Sequence, residues 1–428
     1  MFEKYGAYKD SGVEWLREVP NHWEILRIKS LSLVRRGASP RPIDAPKYFS
    51  ENGEYAWVRI ADVTASNHYL TETKEKLSKL GTTYSVKILP GQLFLSIAGS
   101  VGKPIISRIK CCIHDGFVYF PFLKINNEFL YRVFECGTPF IGLGKHGTQL
   151  NLNTETVGNI KIALPPQNEQ LAIVSFLDQK TSEIDQAIAI KEQQITLLNE
   201  RKQIVIQQAV TQGFDPNVPM KDSGVEWIGQ IPEYWQVKKL KYVLKERSER
   251  SKDGLESLLM MSQIHGLVVR SEYSDKAEVA ATTVGNKLVY QNDLVFNKLK
   301  AHLGVFFSSV HDFAGSVSPD YAVYEPINYV ENTKFLELLF RNPLYIKQFI
   351  LRSSGIVEGL IRLYTTELFD LKIGIPPHQE QREILSYVEQ QSIKFDEAVK
   401  NYTQQIEKLK EYKTTLINDA VTGKIKVA

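Results

Sequence analysis

Lys9-Asp-Ser-Gly-Val-Glu-Trp15 stands again, letter for letter, at Lys221-Asp-Ser-Gly-Val-Glu-Trp227. Outward from each copy, Pro20-Asn-His-Trp23 is echoed by Pro232-Glu-Tyr-Trp235. Leu164-Pro-Pro-Gln-Asn-Glu-Gln170 is echoed by Ile375-Pro-Pro-His-Gln-Glu-Gln381. Between these islands lie two stretches of nearly equal length and little shared sequence. A period of about 211 residues is far too long for a solenoid. The pattern is a duplicated domain pair, constant frames holding two variable inserts.

After each Pro-Pro comes a long segment without internal Pro or Gly until Gly213 and Gly423. Ile173, Phe176, Leu177, Ile184, Ile188, Ile195, Leu198 and Val205 recur at threes and fours in the first. Ile384, Val388, Phe395, Val399, Tyr402, Ile406, Leu409 and Leu416 do so in the second. That spacing predicts two amphipathic helices of about five to six heptads, each beginning at its Pro-Pro and ending at its glycine. Such a helix of about 40 residues extends about 60 Å. Neither can hide its apolar stripe alone, so the two should pair. Each helix leaves one insert and leads to the frame of the other, so the pairing should be antiparallel, with the inserts at opposite ends.

The inserts read as strand-rich. Tyr55–Ile60, Gly91–Ile97 and Phe117–Phe120 in the first, and Leu288–Phe296 and Tyr321–Tyr324 in the second, have strand character between turn residues. Short helices are expected near Phe129–Cys136 and Thr333–Leu351. The expected fold is α+β: two mixed α/β domains separated by two long antiparallel coiled-coil helices in a pseudo-two-fold repeat. The expected boundaries are 1–19 for an N-terminal segment, 20–162 for the first domain and 163–213 for the central helix. Residues 214–231 repeat the N-terminal segment, 232–374 form the second domain and 375–428 the C-terminal helix.

A length of 428 residues lets each insert bury its own core. No apolar run reaches the roughly 18 residues a membrane span needs, and the start lacks the apolar core of a signal peptide. Cys111, Cys112 and Cys136 form no zinc spacing, and so few cysteines fit a reducing cytoplasm. Residues 20–164 hold 18 Lys and Arg against 11 Asp and Glu, whereas residues 232–375 hold 18 against 17. The first insert is therefore the more basic, a mild pointer to a polyanion.

Catalytic apparatus is missing by motif. Gly99-Ser-Val-Gly-Lys103 has the wrong spacing for a phosphate loop and runs into Pro104. Leu164 and Ile375 stand where an amino-methyltransferase loop needs Asn or Asp before Pro-Pro. A self-contained nuclease or methylase and a protein-only coiled-coil adaptor are the rivals from other classes; neither has a motif in its favour.

In its repeated Lys-Asp-Ser-Gly-Val-Glu-Trp…Pro-x-x-Trp and its paired Pro-Pro-x-x-Glu-Gln, the chain resembles the specificity subunit of Type I restriction-modification systems. Trp57-Val-Arg-Ile-Ala-Asp62, Ile88-Leu-Pro-Gly-Gln-Leu93 with Gly99–Lys103, and Gly147–Asn153 are similar to further family segments. The resemblance implies that each insert is a target recognition domain reading one half of an asymmetric, split site on double-stranded DNA, and that the helices fix the spacer. It also implies docking of two modification subunits and, in some assemblies, two restriction subunits. S-adenosylmethionine and adenine-N6 methyl transfer would belong to the former, ATP and Mg to the latter, leaving this cytoplasmic chain no cofactor, metal or catalytic residue. A methylation-only or other phage-defence complex is the variant reading. In the second insert Met260-Met-Ser-Gln-Ile264 replaces the tryptophan-bearing strand.

Phosphate contacts should supply affinity and base edges the discrimination. The first-insert candidates are Arg35, Arg36 and Arg41 on a Gly- and Pro-shaped loop, then Arg59, Lys103, Lys145, His146, Gln149 and Asn151. The second-insert candidates are Lys298, Lys300 and His302, then Ser318, Tyr321, Arg352, Arg362 and Tyr364. Arginine forks match guanine or phosphate, and amides match adenine. Trp15 and Trp227 are expected to pack the repeated segments near helix ends, and Glu169 and Glu380 to be first-turn carboxylates favoured by the helix dipole.

Overall fold

The computed structural model describes residues 2–143, 152–273, 283–355 and 362–427, without the side chains of Ala301 and His302. The chain divides into two compact units, Met1–Glu192 with Thr403–Ala428, and Gln193–Tyr402.

In the first unit, the Lys9–Trp15 repeat is the loop of a hairpin between β1 (Tyr8–Asp10) and β2 (Glu18–Pro20). Asp10 Oδ1 accepts from the Gly12 amide at 2.9 Å, which explains why Asp-x-Gly recurs there. β3 (Glu24–Arg27) pairs antiparallel with the last strand of the unit, β13 (Lys161–Leu164), so the insert enters and leaves side by side.

Within the insert the strands form two sheets. One contains β4 (Arg35–Arg36), and the other contains β5 (Tyr55–Val58). β6 (Tyr69–Leu70), β7 (Glu75–Leu77), β8 (Val86–Ile88), β9 (Leu93–Ser96), β10 (Pro104–Ser107), β11 (Cys111–Ile113) and β12 (Phe117–Tyr119) follow. The orders are β4-β12-β9-β10-β6 and β7-β5-β11-β8. Val58, Ile88, Phe94, Ile105, Ile113 and Phe117, drawn from both sheets, share one buried cluster. Strand alternation sends Trp57 to the opposite side, beside Leu77 and Cys112. Helix Asn127–Glu135 is capped by Asn126, whose Oδ1 accepts from the Glu128 amide at 2.8 Å. Its Arg132, almost fully buried, reaches Glu135 and the long helix's Asp178 at 2.6 Å each.

The second unit repeats the plan. The hairpin of β14 (Met220–Asp222) and β15 (Gln230–Pro232) has the same turn, with Asp222 Oδ1 accepting from the Gly224 amide at 2.9 Å. β16 (Gln236–Lys239) pairs with β25 (Lys372–Ile375) as β3 does with β13. Between them come β17 (Leu244–Glu246), β18 (Ser257–Ser262), β19 (Gly266–Val269), β20 (Lys287–Val289), β21 (Leu294–Asn297), β22 (Phe306–Ser308), β23 (Gly315–Val317) and β24 (Tyr321–Pro326). Their orders, β17-β24-β21-β22 and β19-β18-β23-β20, match the first insert strand for strand, apart from the extra β6. Each second sheet holds one parallel pair, β5 with β11 and β18 with β23. The inserts thus share one fold under different surfaces. The run Leu288–Phe296, expected as one strand, is two. Asn292 turns left-handed at φ +66°, and Asp293 Oδ2 accepts from the Tyr290 amide at 2.8 Å, closing a turn between β20 and β21.

The long helices are Gln167–Gln212 and His378–Val421, and each is followed by its glycine in the left-handed region, Gly213 at φ +80° and Gly423 at φ +74°. In the first unit their segments run antiparallel, with Lys413 on Asp185 at 2.7 Å and Lys191 bonded to Gln405. In the second, Lys202 meets Asp396 at 2.7 Å while Val210 shares a cluster with Ile384 and Val388. Asp185 and Asp396 are 211 residues apart, as are Lys202 and Lys413, so the duplication extends to the ion pairs joining the helices.

Pro-Pro-x-x-Glu-Gln acquires a physical meaning. Gln170 and Gln381 are buried, and each donates Nε2 to the carbonyl of the first proline, Pro165 or Pro376, at 3.0 Å. Glu169 accepts from Trp23 Nε1 at 3.0 Å, and Glu380 from Trp235 Nε1 at 2.8 Å. Both are first-turn carboxylates, as expected, and each in addition clamps a tryptophan of the frame. The fully buried tryptophans of the frame are Trp23 and Trp235, whereas Trp15 and Trp227 are only half-buried, Trp227 lying edge-on to Tyr345.

Candidate nucleic-acid interface

In the first insert, β4 is an edge strand on β12, which leaves Arg35 and Arg36 exposed. The chain then presses against the turn before β12. A Cβ on Gly37 would lie 2.2 Å from the His114 carbonyl oxygen, so only glycine fits there. The loop closes around Asp115. Arg36 donates Nε to its main-chain oxygen, Ser39 donates to Oδ1 at 2.9 Å, and Arg41 donates Nη2 to Oδ2 at 3.1 Å. Partial burial raises the affinity of Asp115 for its proton, but the Ser39 bond and the two arginines outweigh it and hold the carboxyl below its ordinary range.

His114 sits beneath. Its Nδ1 accepts from the Gly116 amide at 2.8 Å, and its ring packs 4.5 Å from that of Phe117 and 6.0 Å from that of Trp57. Burial lowers its proton affinity and nearby Arg59 and Arg36 lower it further, against the pull of Asp115. The structure therefore gathers Arg36, Arg41 and Arg59 around one turn. Arg59 is engaged by Glu75 and, at 3.4 Å, by Asp44, with the Glu75 bond the main cause of its raised pKa. Lys103 is not in this group. Its amine donates to the Thr64 carbonyl at 3.0 Å, and burial depresses its pKa. Lys145, His146, Gln149 and Asn151 lie outside the described residues.

In the second insert Asn297 pairs across the sheet with Tyr321, and the Lys298 carbonyl accepts from the Leu363 amide at 3.0 Å. This gathers Lys298, Ser318, Tyr321, Arg362 and Tyr364. Lys298 turns inward, 3.4 Å from Glu246, which also holds Lys287 at 3.3 Å. Lys300 is exposed, and the side chain of His302 lies outside the description. Arg362 is 3.8 Å from Asp320 and 6.0 Å over the Tyr364 ring, which is itself half-exposed. Tyr321 packs on the sheet core. Arg352 ends helix Pro343–Arg352, bonded back to Gln348.

Strand register aligns the two surfaces where sequence could not. Trp57 lies opposite Cys112 and Leu258 opposite Ser316, so Leu258 takes the tryptophan's place and Met260 that of Arg59. The Phe117 amide bonds to the His114 carbonyl at 3.1 Å and the Tyr321 amide to that of Ser318 at 3.0 Å. Each side chain also caps its own turn, His114 on Gly116 and Ser318 on Asp320. Ser318 was a candidate from sequence. Its counterpart His114 and the neighbouring Asp115 were missed; the signal was a polar residue three before the aromatic that opens each strand.

Among the described residues no group of three or more His, Cys, Asp or Glu could hold a metal ion, and no helix is long and apolar enough to cross a membrane. The two inserts thus repeat one α/β fold, each with a polar turn before the strand that opens at Phe117 or Tyr321 and with an arginine nearby, Arg36 and Arg41 in the first and Arg362 in the second. Residues 20–200 match the Type I restriction modification DNA specificity domain. The chain is 22% identical over 431 residues to the Type I restriction enzyme MjaVIII specificity subunit of Methanocaldococcus jannaschii, covering 96% of this chain and 94% of that one. The MjaIX specificity subunit of the same organism is also 22% identical. Among solved structures, a chain from work on complex assembly and conformational transition of the type I R-M system aligns at TM-score 0.66 and 15% identity, covering 94% of this chain and 98% of that one. The HsdS subunit from Thermoanaerobacter tengcongensis aligns at TM-score 0.53 and 15% identity, covering 98% and 100%. Residues 20–200 thus carry a match to the Type I restriction modification DNA specificity domain, and over nearly its whole length the chain is similar to specificity subunits of Type I restriction enzymes.

Proposed function

We propose that each insert reads one half of an asymmetric bipartite site on double-stranded DNA, and that the paired helices set the unread spacer between halves. The observation that carries this reading is the strand-for-strand match of the two inserts beneath unlike surfaces. One head presents Arg36 and Arg41 on an acid-braced loop. The other presents Lys300, Arg362 and Tyr364, with Met260 where the first has Arg59. Two readers of one fold with different side chains suit two different half-sites.

The exposed, verbatim-repeated hairpins offer the same surface twice, which fits two copies of one modification subunit. Those subunits would carry S-adenosylmethionine and methylate adenine, and restriction subunits, where present, would supply ATP-driven cleavage. The test is co-expression of this chain with its modification subunit and genome-wide mapping of methylated adenine. One bipartite, asymmetric motif is expected. A contiguous or palindromic motif, or methylation without sequence preference, removes the proposal.

A further inference from the structure

We infer that Asp115 is the specificity-positioning residue of the first head, holding Arg36 and Arg41 so that their guanidinium groups meet the O6 and N7 acceptors of a guanine in that half-site. The inference rests on the DNA-reading role proposed above and adds to it the base class and the residue that aims the readers.

Every polar group of Asp115's acceptor set is turned to this loop: Oδ1 to Ser39, Oδ2 to Arg41 and the main-chain oxygen to Arg36. Arg36 spends only Nε on this anchor, and Arg41 only one Nη2 hydrogen bond. A guanidinium carries five N–H donors, so each keeps donors for an outside acceptor, and in Arg36 the paired Nη1 and Nη2 edge is left for a bidentate contact. Both side chains stay at the surface, with that of Arg41 70% exposed. An untethered surface arginine would give up much rotamer freedom on binding, and an anchored one has lost part of it beforehand.

The support beneath is rigid. His114 is partly buried, bonded to the Gly116 amide and packed on Phe117, and Gly37 admits no side chain. The neighbouring cations differ. Arg59 has its fork turned to Glu75 and Asp44, and Lys103 is bonded to a carbonyl. In the second head the corresponding turn places Asp320 3.8 Å from Arg362, too long for a hydrogen bond, and leaves the acid 77% exposed. The braced device is therefore particular to the first head.

The test uses the full chain assembled with its modification subunit, comparing wild type, Asp115→Ala, Asp115→Asn and Asp320→Ala by methylated-motif mapping and by the salt dependence of duplex binding. Asp115→Ala keeps the main-chain acceptor of Arg36 but releases Ser39 and Arg41, and through Arg41 it should relax one guanine position in one half-site by about ten-fold, within the scale of a lost arginine–guanine contact. The other half-site should stay unchanged. Asp115→Asn, which keeps the shape and the acceptor for Ser39, should relax the same position less, and it answers the question should the alanine variant fail to assemble. Asp320→Ala should leave the motif as it is. An unmoved motif in both Asp115 variants overturns the inference alone. So does a uniform fall in methylation with no positional change, the signature of phosphate anchoring or of a merely structural acid. A wild-type complex without sequence preference overturns the DNA-reading role, and this inference with it.

Discussion

Glu169 and Glu380 hold the same post in the two copies yet are shifted in opposite directions. At Glu169 desolvation raises the pKa, but hydrogen bonds from Trp23, His22 and Tyr5 outweigh it, and the carboxyl lies below its ordinary value. At Glu380 desolvation prevails over Trp235 and Tyr234, with Glu383 adding repulsion, and the carboxyl lies above it. The linkage signs follow. A depressed carboxylate contributes stability above its unfolded pKa that is lost as pH falls through the folded value. A raised one opposes folding at neutral pH and is relieved on acidification. Glu169→Gln should therefore cost about 1–3 kcal/mol at pH 7, the scale of a charged hydrogen bond, and less towards pH 4. Glu380→Gln should cost distinctly less at pH 7. Thermal unfolding of both variants across pH checks this, and equal losses at neutral pH would remove the distinction.

At the scale of elements, the long helices combine a packed face with ion pairs at its border. Lys413–Asp185 and Lys202–Asp396 are short, but their carboxylates are more than half exposed, and such pairs are worth about 0–1 kcal/mol. Apolar burial does more. Leu416 and Ile384 are almost fully buried, and truncating such a side chain to alanine costs about 2–5 kcal/mol. Leu416→Ala should lower the unfolding midpoint several-fold more than Lys413→Ala. A comparable effect of the two would mean that the helices are held by charge. The helices themselves were legible, because an apolar period of three and four over some forty residues, bounded by Pro-Pro and Gly, admits no other element. The strands were legible only in part. Their runs are two to six residues long, and the turn at Asn292 interrupts one without a Gly or Pro to announce it.

For the whole molecule the expected behaviour is modular. Replacing residues 20–162 with the corresponding insert of another family member should change one half of the methylated motif and leave the other half and the spacer alone. A change in both halves would show that the heads do not read independently. One heptad inserted into each long helix, after Glu192 and after Tyr402, adds about 10 Å, or about three base pairs at 3.4 Å each. The unread spacer should lengthen by that much with both half-sites kept. A motif with its original spacer would deny the helices any role as a ruler.

The repeats, the paired Pro-Pro starts and the helical periods are written in neighbouring residues, so the duplicated frame and its stalks could be taken from sequence alone. So could the wealth of arginine near residue 36. Which arginines are aimed, and by what, could not. Arg36 and Asp115 are 79 residues apart, and only the pairing of β4 with β12 brings them together. The equivalence of His114 with Ser318, and of Arg59 with Met260, likewise exists only as strand register. Local periodicity survives in a one-dimensional string because a helix contacts itself. A recognition surface is assembled from strand ends whose partners are chosen by packing, and that choice is made only in three dimensions.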